Sequence, residues 1–532
     1  MPGTNPEPTK ATNREWCGLA VLALPCLLYS MDLTVLNLAV PKLSADLRPT
    51  NTELLWIVDI YGFVLAGALI PMGVLGDRIG RRRLLLIGAV AFGCVSVLAA
   101  FAPTVETLIA ARALLGLAAA TLAPSTLSLL RSMFLDPKQR TFAIGVWISS
   151  FSAGGAVGPL IGGVLLQFFW WGSVFLINLP VMVLLLLVGP RLLPEFCDPQ
   201  AARPDILSAA LCIATVLSVI YGVKRIAGHG ADWLAAATIV AGLVIGFVFL
   251  DRQRRLMVPF IDLGLFRQVT FSAALAVNIF GFFVAFGTFL LIAQYLQLVI
   301  GLSPLAAGLW SAPSGIAFVV GAMLTPRIVN HLRPPYVIAI GFVIAALGFA
   351  LLTQTGMSND LAVVATAYAV FSLGLAPVFT LASDLIVSTA PPERAGAAAG
   401  ISEMSTELGG ALGIALLGSV VTFIYRGVMT GALDGDLPPG AVAAARDTLG
   451  GARSVAEGLP DQLGSALVTL SRSAFVEAFQ TTALASAAIA LIAAAGAVLI
   501  LGRARQNPSL SPAADFESKT GDDIQSLGSR DY

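Results

Sequence analysis

Fourteen apolar runs, each close to the roughly 20 residues a helix needs to cross a bilayer, leave this chain little choice of architecture. They fall near 17–40, 54–75, 84–102, 107–130, 141–166, 172–190, 206–223, 233–250, 270–298, 305–326, 334–353, 361–383, 396–424 and 478–502. Short polar or Gly/Pro-marked breaks separate them. Only 12% of the 532 residues are charged and 57% are hydrophobic, against about a quarter charged in soluble domains. The expectation is an all-α integral membrane protein with 14 transmembrane helices. The first run, long and carrying Asp32 with no small-residue cleavage site after it, does not read as a removable signal peptide.

Net charge is zero, with 31 basic and 31 acidic residues, so no basic field points to nucleic acid. Five cysteines without a CxxC pair form neither a disulfide framework nor a redox motif. Two histidines, His229 and His331, are too few for a zinc or haem enzyme. No GxxxxGK[ST] phosphate loop is present, and the glycine-rich stretches lie inside apolar runs rather than after strands. Nothing in the chain suggests catalysis.

Short cytoplasmic loops are enriched in Lys and Arg. An even number of crossings puts both termini on one side, and if that side is the cytoplasm it receives 22 of the 31 Lys and Arg residues. Eight fall outside, and Arg112 alone lies within a run. The alternation holds loop after loop, so one miscounted helix would spoil it. The expected location is the cytoplasmic (inner) cell membrane, with residues 1–16 and the Ser/Asp/Gln/Gly-rich tail 503–532 in the cytoplasm, the tail disordered. An outer segment at 426–476 contains PPGAVAAARDTLGG, Pro-started and Gly-ended, followed by a second short run. Short surface helices are expected there.

Between the second and third runs stands GVLGDRIGRRR, from Gly73 to Arg83. A lone basic cluster would be an ordinary interfacial anchor. The spaced Gly73, Asp77, Arg78, Gly80 and Arg81 go further and resemble the signature loop of the major facilitator superfamily, G-x-x-x-D-R-x-G-R-R. The resemblance implies that Asp77, Arg78 and Arg81 latch the inner gate against neighbouring helix ends. In the fifth run, SSFSAGGAVGPLIGG sets Ser150, Gly154, Gly158 and Gly162 four apart on one face, which admits a close neighbouring backbone. Pro159 interrupts the hydrogen-bond ladder there. By itself this is helix packing; the stretch Gly154 to Gly163, including Gly158, Pro159 and Gly162, also resembles the antiporter motif of the superfamily. MDLTVLNLAVP (Met31–Pro41), LLWIVDIY, LIAARALLGLAAA and PFIDLGLF resemble its fourteen-helix drug:proton antiporters, most closely the quaternary-ammonium and methyl-viologen exporters. That resemblance implies two six-helix bundles, 17–190 and 270–502, with two inserted helices at 206–250. It also implies protons as the coupling ion with no other cofactor, and a monomer surrounded by membrane lipids.

A charge at the bilayer centre costs about 2.5 to 3.5 kcal/mol on insertion scales, so Asp32, Asp59, Arg112, Glu403 and Glu407 carry the functional expectation. Counted at 1.5 Å per residue, Asp32, Asp59 and Arg112 each lie roughly 10 Å below the outer surface. Equal depth permits a cluster in which Arg112 offsets the burial of a carboxylate; a structural salt bridge is the other reading. For Asp59, nearest the interface, snorkelling to water is the alternative. Glu403 and Glu407 are four apart and one turn from each other. Two like carboxylates in poor solvent cannot both ionise cheaply, so one is expected to hold a proton that a cation could displace. A hydrogen-bonded structural pair is the bland version. Asp384, at the end of the twelfth run, reads as a solvated cap.

The composite expectation is a proton-driven antiporter that exports lipophilic organic cations by alternating access. Export of an endogenous lipid, peptide or antibiotic on the same fold is the alternative. A membrane receptor that moves nothing would not require opposed buried charges.

Overall fold

The helices of the computed structural model are α1 (Asn13–Leu47), α2 (Asn51–Ile79), α3 (Arg81–Ala100), α4 (Val105–Met133), α5 (Pro137–Phe168), α6 (Ser173–Leu176), α7 (Asn178–Leu192), α8 (Ile206–His229) and α9 (Trp233–Arg255), then α10 (Val269–Gln294), α11 (Pro304–Val329), α12 (Pro334–Leu352), α13 (Leu361–Thr389), α14 (Ala395–Ala432), α15 (Leu449–Ala456) and α16 (Asp461–Gly496). The structure describes residues 10–502 apart from 48, 50, 198–204, 230–231, 257–258, 260, 262, 303, 358–359, 392–393, 433–444 and 447. The expected tail 503–532 lies outside the described residues.

Local chemistry sets the boundaries. Asp136 caps α5 by accepting from the Lys138 and Gln139 amides at 2.7 and 3.1 Å, with Pro137 opening the helix. Thr104 and Asp232 cap α4 and α9 in the same way. Gly80 separates α2 from α3 with φ of 105°, a left-handed conformation that a side chain disfavours. Among the described residues, twelve helical segments are long and apolar enough to cross a membrane, α6 and α7 together forming one. The 32-residue α5 and α8, with its apolar stretch Leu207–Val223, complete the fourteen runs read from the sequence.

Helices α1–α7 form one bundle, in which α1 lies along α5 and α2 along α4. Helices α10–α14 and α16 form the second, built on the pairs α10–α14, α11–α13, α12–α13 and α12–α16. The two meet along α2–α14 and α5–α11. The inserted α8 and α9 make a hairpin whose first helix packs on both α2 and α14. Asp205 and Arg252 clasp one end of it at 2.9 Å, and Arg225 and Asp232 the other at 2.7 Å.

The expected outer segment differs from its reading. Short surface helices were expected across 426–476; α15 is a short helix there, while α14 continues to Ala432 and α16 already starts at Asp461. Val421, Tyr425 and Met429, spaced four apart on α14, extend its buried face beyond the apolar run. They belong to the same core cluster as Ala445, Leu449, Ala452 and Leu467, and the Tyr425 hydroxyl donates to the Ala445 carbonyl at 3.0 Å. Burial therefore continues the helices where the hydropathy of the sequence declines. Residues 438–444 and 447 of the Pro-started pattern lie outside the described residues.

Candidate functional site

Two groups of charged side chains stand on the two bundles, one inside the first and one on α14 of the second. In the first, Arg112 of α4 pairs with Asp32 of α1, Nη1 to Oδ2 at 2.5 Å, with both side chains buried. The remaining guanidinium hydrogens are not wasted: Nε donates to the Ile57 carbonyl at 3.1 Å and Nη2 to the Val58 carbonyl at 3.4 Å. The guanidinium also sits 4.5 Å above the Tyr61 ring, a cation–π contact strengthened by exclusion of water. Asp32 and Arg112, eighty residues apart in sequence, thus form one unit with α2. Asp59 falls in α2, but its side chain is outside the described residues.

The second group is on α14. Glu403 is buried and Glu407 half-buried, about 12 and 18 Å along the axis from the start of that helix. Their register is held from behind: Asn278 of α10 donates through Nδ2 to the Ser402 carbonyl, Ser405 Oγ and Thr406 Oγ1 at 3.3, 2.8 and 3.1 Å. Across the seam, the Tyr29 hydroxyl of α1 donates to Glu407 Oε1 at 2.5 Å. This bond joins the two bundles directly at the level of the acids.

Aromatic rings connect the groups. Tyr29 and Tyr61 have centroids 6.4 Å apart, and Tyr61 lies within electrostatic reach of Asp32, Arg112 and Glu407. Phe151 stands edge-on to Tyr29 at 5.4 Å and to Trp147 at 4.9 Å. Trp147 in turn donates to Thr126 Oγ1 at 3.0 Å. Tyr29, Tyr61, Trp147, Phe151 and Asn278 were not singled out in the sequence, because a ring or an amide in an apolar run looks like packing. The spacing of Tyr29 from Asp32, one helical turn on one face, was the available signal.

At the arginine-rich end, three polar contacts tie the bundles together. The Asp77 carboxylate accepts from the Gly396 and Ala397 amides at 3.0 and 3.1 Å, capping the first turn of α14 from another helix. Arg81 Nε holds the same carboxylate at 3.0 Å, and its guanidinium covers the Phe196 ring at 4.9 Å. Gly73 is where α2 and α14 touch, since a Cβ there would strike the Gly396 carbonyl. Arg131 of α4 makes the opposite arrangement, donating to the Val387 and Ser388 carbonyls at 2.5 and 3.4 Å near the end of α13. A negative group meets one helix N-terminus and a positive group another C-terminus, each complementing the local dipole. Arg78 is half-buried at the end of α2.

The third contact corrects the reading of Asp384. It lies inside α13, not at a solvated end, and pairs with Arg140 Nε at 2.8 Å while accepting from Thr141 Oγ1 at 3.1 Å. Its side chain is 13% exposed. The apolar run ends near it, but the helix continues to Thr389, and α5 supplies the partner.

In α5, Gly154 and Gly162 face α1: a Cβ on Gly154 would meet the Leu27 carbonyl, and one on Gly162 the Val35 side chain at 2.8 Å. Gly158 is buried as well, whereas Gly163 opens onto free space. Pro159 lies within the helix and its side chain is outside the described residues. The small-residue face therefore packs within the first bundle.

Comparison with known proteins agrees with this architecture. The multidrug efflux pump LfrA of Mycolicibacterium smegmatis is 41% identical over 490 residues, covering 92% of this chain and 97% of that protein. The methyl viologen resistance protein SmvA of Salmonella typhimurium is 34% identical over 494 residues, covering 93% and 99%. The crystal structure of the human organic anion transporter MFSD10 superposes with a TM-score of 0.56 over 90% of this chain and 99% of that one, at 13% identity, a likeness of fold. The family model described as Major Facilitator Superfamily matches residues 22–414. With two bundles and an inserted helix pair, the chain is a multi-pass membrane transporter and belongs to the major facilitator superfamily.

Proposed function

We propose that this transporter is a proton-driven antiporter that exports lipophilic organic cations across the cytoplasmic membrane, with its arginine-rich end in the cytoplasm. The observation that carries the reading is a pair of acid groups on opposite bundles, buried Asp32 on one and buried Glu403 with half-buried Glu407 on the other, linked through Tyr29 and Tyr61 beside Phe151 and Trp147. Buried carboxylates select a cation, and ring faces provide apolar and cation–π contact for it. A relative named for resistance to methyl viologen, a flat organic dication, supports the substrate class.

An inward-open carrier takes the cation between the Asp32–Arg112 unit and the α14 acids. The contacts at Asp77, Arg131 and Arg140–Asp384 then close the cytoplasmic end. Protons arriving from outside neutralise carboxylates, the cation leaves, and the protonated carrier reopens inward and releases the protons. Asp59 and Arg112 tune the charge of the site, and Arg78 and Arg81 hold the gate. Moving one charge across 100 mV is worth about 2.3 kcal/mol, and each pH unit about 1.4.

The test is cation-dependent proton flux in proteoliposomes carrying an internal pH dye and an imposed proton gradient. Ethidium or a long-chain quaternary ammonium should discharge the gradient, and Glu407→Gln should abolish that discharge. Absence of flux with every lipophilic cation, from protein shown to be folded, would reject cation antiport and leave lipids, peptides and neutral antibiotics as candidate substrates.

A further inference from the structure

At mid-depth a hydrogen bond whose acceptor is itself an ionisable group joins the two bundles. The Tyr29 hydroxyl of α1 reaches Glu407 Oε1 of α14 at 2.5 Å, and the structure that contains this bond also has the cytoplasmic-end contacts in place. Charge-assisted hydrogen bonds are roughly twice as strong as neutral ones. An ionised Glu407 can only accept, so the phenol fits it; a protonated Glu407 carries its own hydrogen and makes a weaker, neutral contact.

We propose that Tyr29 is the positioning residue that couples the proton on Glu407 to the closed arrangement of the bundles. The proposal rests on the antiport reading and deepens it by naming the link between protonation and conformation. When Glu407 is ionised, the Tyr29 bond joins α1 to α14 and favours the inward-closed state. When Glu407 takes a proton, the bond weakens and the inward-open state gains.

The surroundings make this link specific. Among the described residues, ionisable groups near Glu407 include Glu403 on its own helix, Tyr29 from α1 and Tyr61 from α2, with Asp32 and Arg112 beyond Tyr61. Tyr61 is fully buried, its hydroxyl has no hydrogen-bond partner among the described residues, and its ring holds Arg112. Tyr29 is thus the phenol that bridges the seam, while Tyr61 stays with the Asp32–Arg112 unit. Phe151 keeps the Tyr29 ring in place from α5, so a phenylalanine at 29 would retain the packing and lose only the hydroxyl.

The test reads conformation rather than transport. Spin labels on cysteines placed at Leu135 and Leu332, both exposed at the arginine-rich end on opposite bundles, report opening of that end; the native cysteines are first replaced by alanine. In the otherwise unaltered full-length chain, lowering the pH from about 8 to about 6 should raise the inward-open fraction. In Tyr29→Phe the open fraction should already be high at the upper pH, and the pH-induced change in the open-to-closed ratio should shrink by roughly tenfold, the weight of one charge-assisted hydrogen bond. Glu407→Gln, which keeps Tyr29 but cannot ionise, should give the same high open fraction at both pH values. A wild-type pH response in Tyr29→Phe overturns the proposal, as does a retained response in Glu407→Gln, which stands as the test should Tyr29→Phe not be recovered folded. Failure of the antiport reading is separate, because it shows as absent ethidium-dependent proton flux in the wild-type chain.

Discussion

A carboxylate and a guanidinium that are both out of water depend on each other more than on the fold. Losing one partner of a buried pair leaves an uncompensated charge and costs about 3 to 5 kcal/mol, while losing both costs far less. Arg112→Met should therefore lower the thermal unfolding midpoint in detergent sharply, and Asp32→Asn combined with Arg112→Met should recover much of the loss without restoring transport. A double variant as unstable as the single one would show that the Ile57 and Val58 carbonyl contacts, rather than Asp32, carry the effect. The charged members of the site were legible in the sequence because a charge in an apolar run is conspicuous. Their pairing was not, since equal depth on different helices says nothing about rotation around the helix axes. Tyr29 and Tyr61 were hidden for a related reason: a phenol's apolar body satisfies the run, and only its three-dimensional neighbours reveal what the hydroxyl does. Asp384 was misread because hydropathy ends before its helix does, with the closing partner supplied by α5 more than 240 residues away.

Between helices, contact is governed by the smallest side chains. Gly400 of α14 lies so close to α2 that a Cβ would approach the Leu69 carbonyl at 2.7 Å and the Ile70 Cα at 3.0 Å. Gly400→Val should act as a wedge, leaving expression intact while keeping the Leu135–Leu332 distance long at every pH; a wild-type distance distribution would refute the close-packed seam. Gly80 has a different constraint, its left-handed φ of 105°. Gly80→Ala should cost about 1 to 2 kcal/mol from that backbone alone, plus the crowding of a Cβ against Glu195 Cδ at 2.8 Å, read as a lowered unfolding midpoint. Runs, breaks and motifs announced nearly every helix in advance. What they could not announce was the length of α14 and α16, whose outer turns are stabilised by burying Met429, Leu449 and Leu467 rather than by lipid.

For the molecule as a whole, the tie between bundles at the arginine-rich end is spread over α2–α14, α4–α13 and α5–α13, so no one contact should decide closure. Asp384→Asn removes the ion pair with Arg140 and should speed thiol labelling of a cysteine placed at the buried Ser128 by roughly fivefold or more, equivalent to about 1 kcal/mol; unchanged labelling would mean that the ion pair is incidental. The clasp of the inserted hairpin behaves differently with pH. Burial works against ionisation of Asp205, but hydrogen bonds from Ser208 and Arg252 outweigh it and hold the carboxyl below its ordinary range. A lowered value gives stability that is present above the ordinary carboxylate range and lost only as the pH falls through the lowered one. Arg252→Gln should accordingly depress the unfolding midpoint by the same amount at pH values of about 6 and 8. That clasped hairpin also makes the two flanks of the carrier unequal. Because α8 rests on both α2 and α14, the seam on that flank is roofed by protein, whereas the α5–α11 seam has no added helix against it among the described residues. The bilayer then meets a transporter with a front and a back, one seam covered by its own chain and the other open to whatever surrounds the bundles.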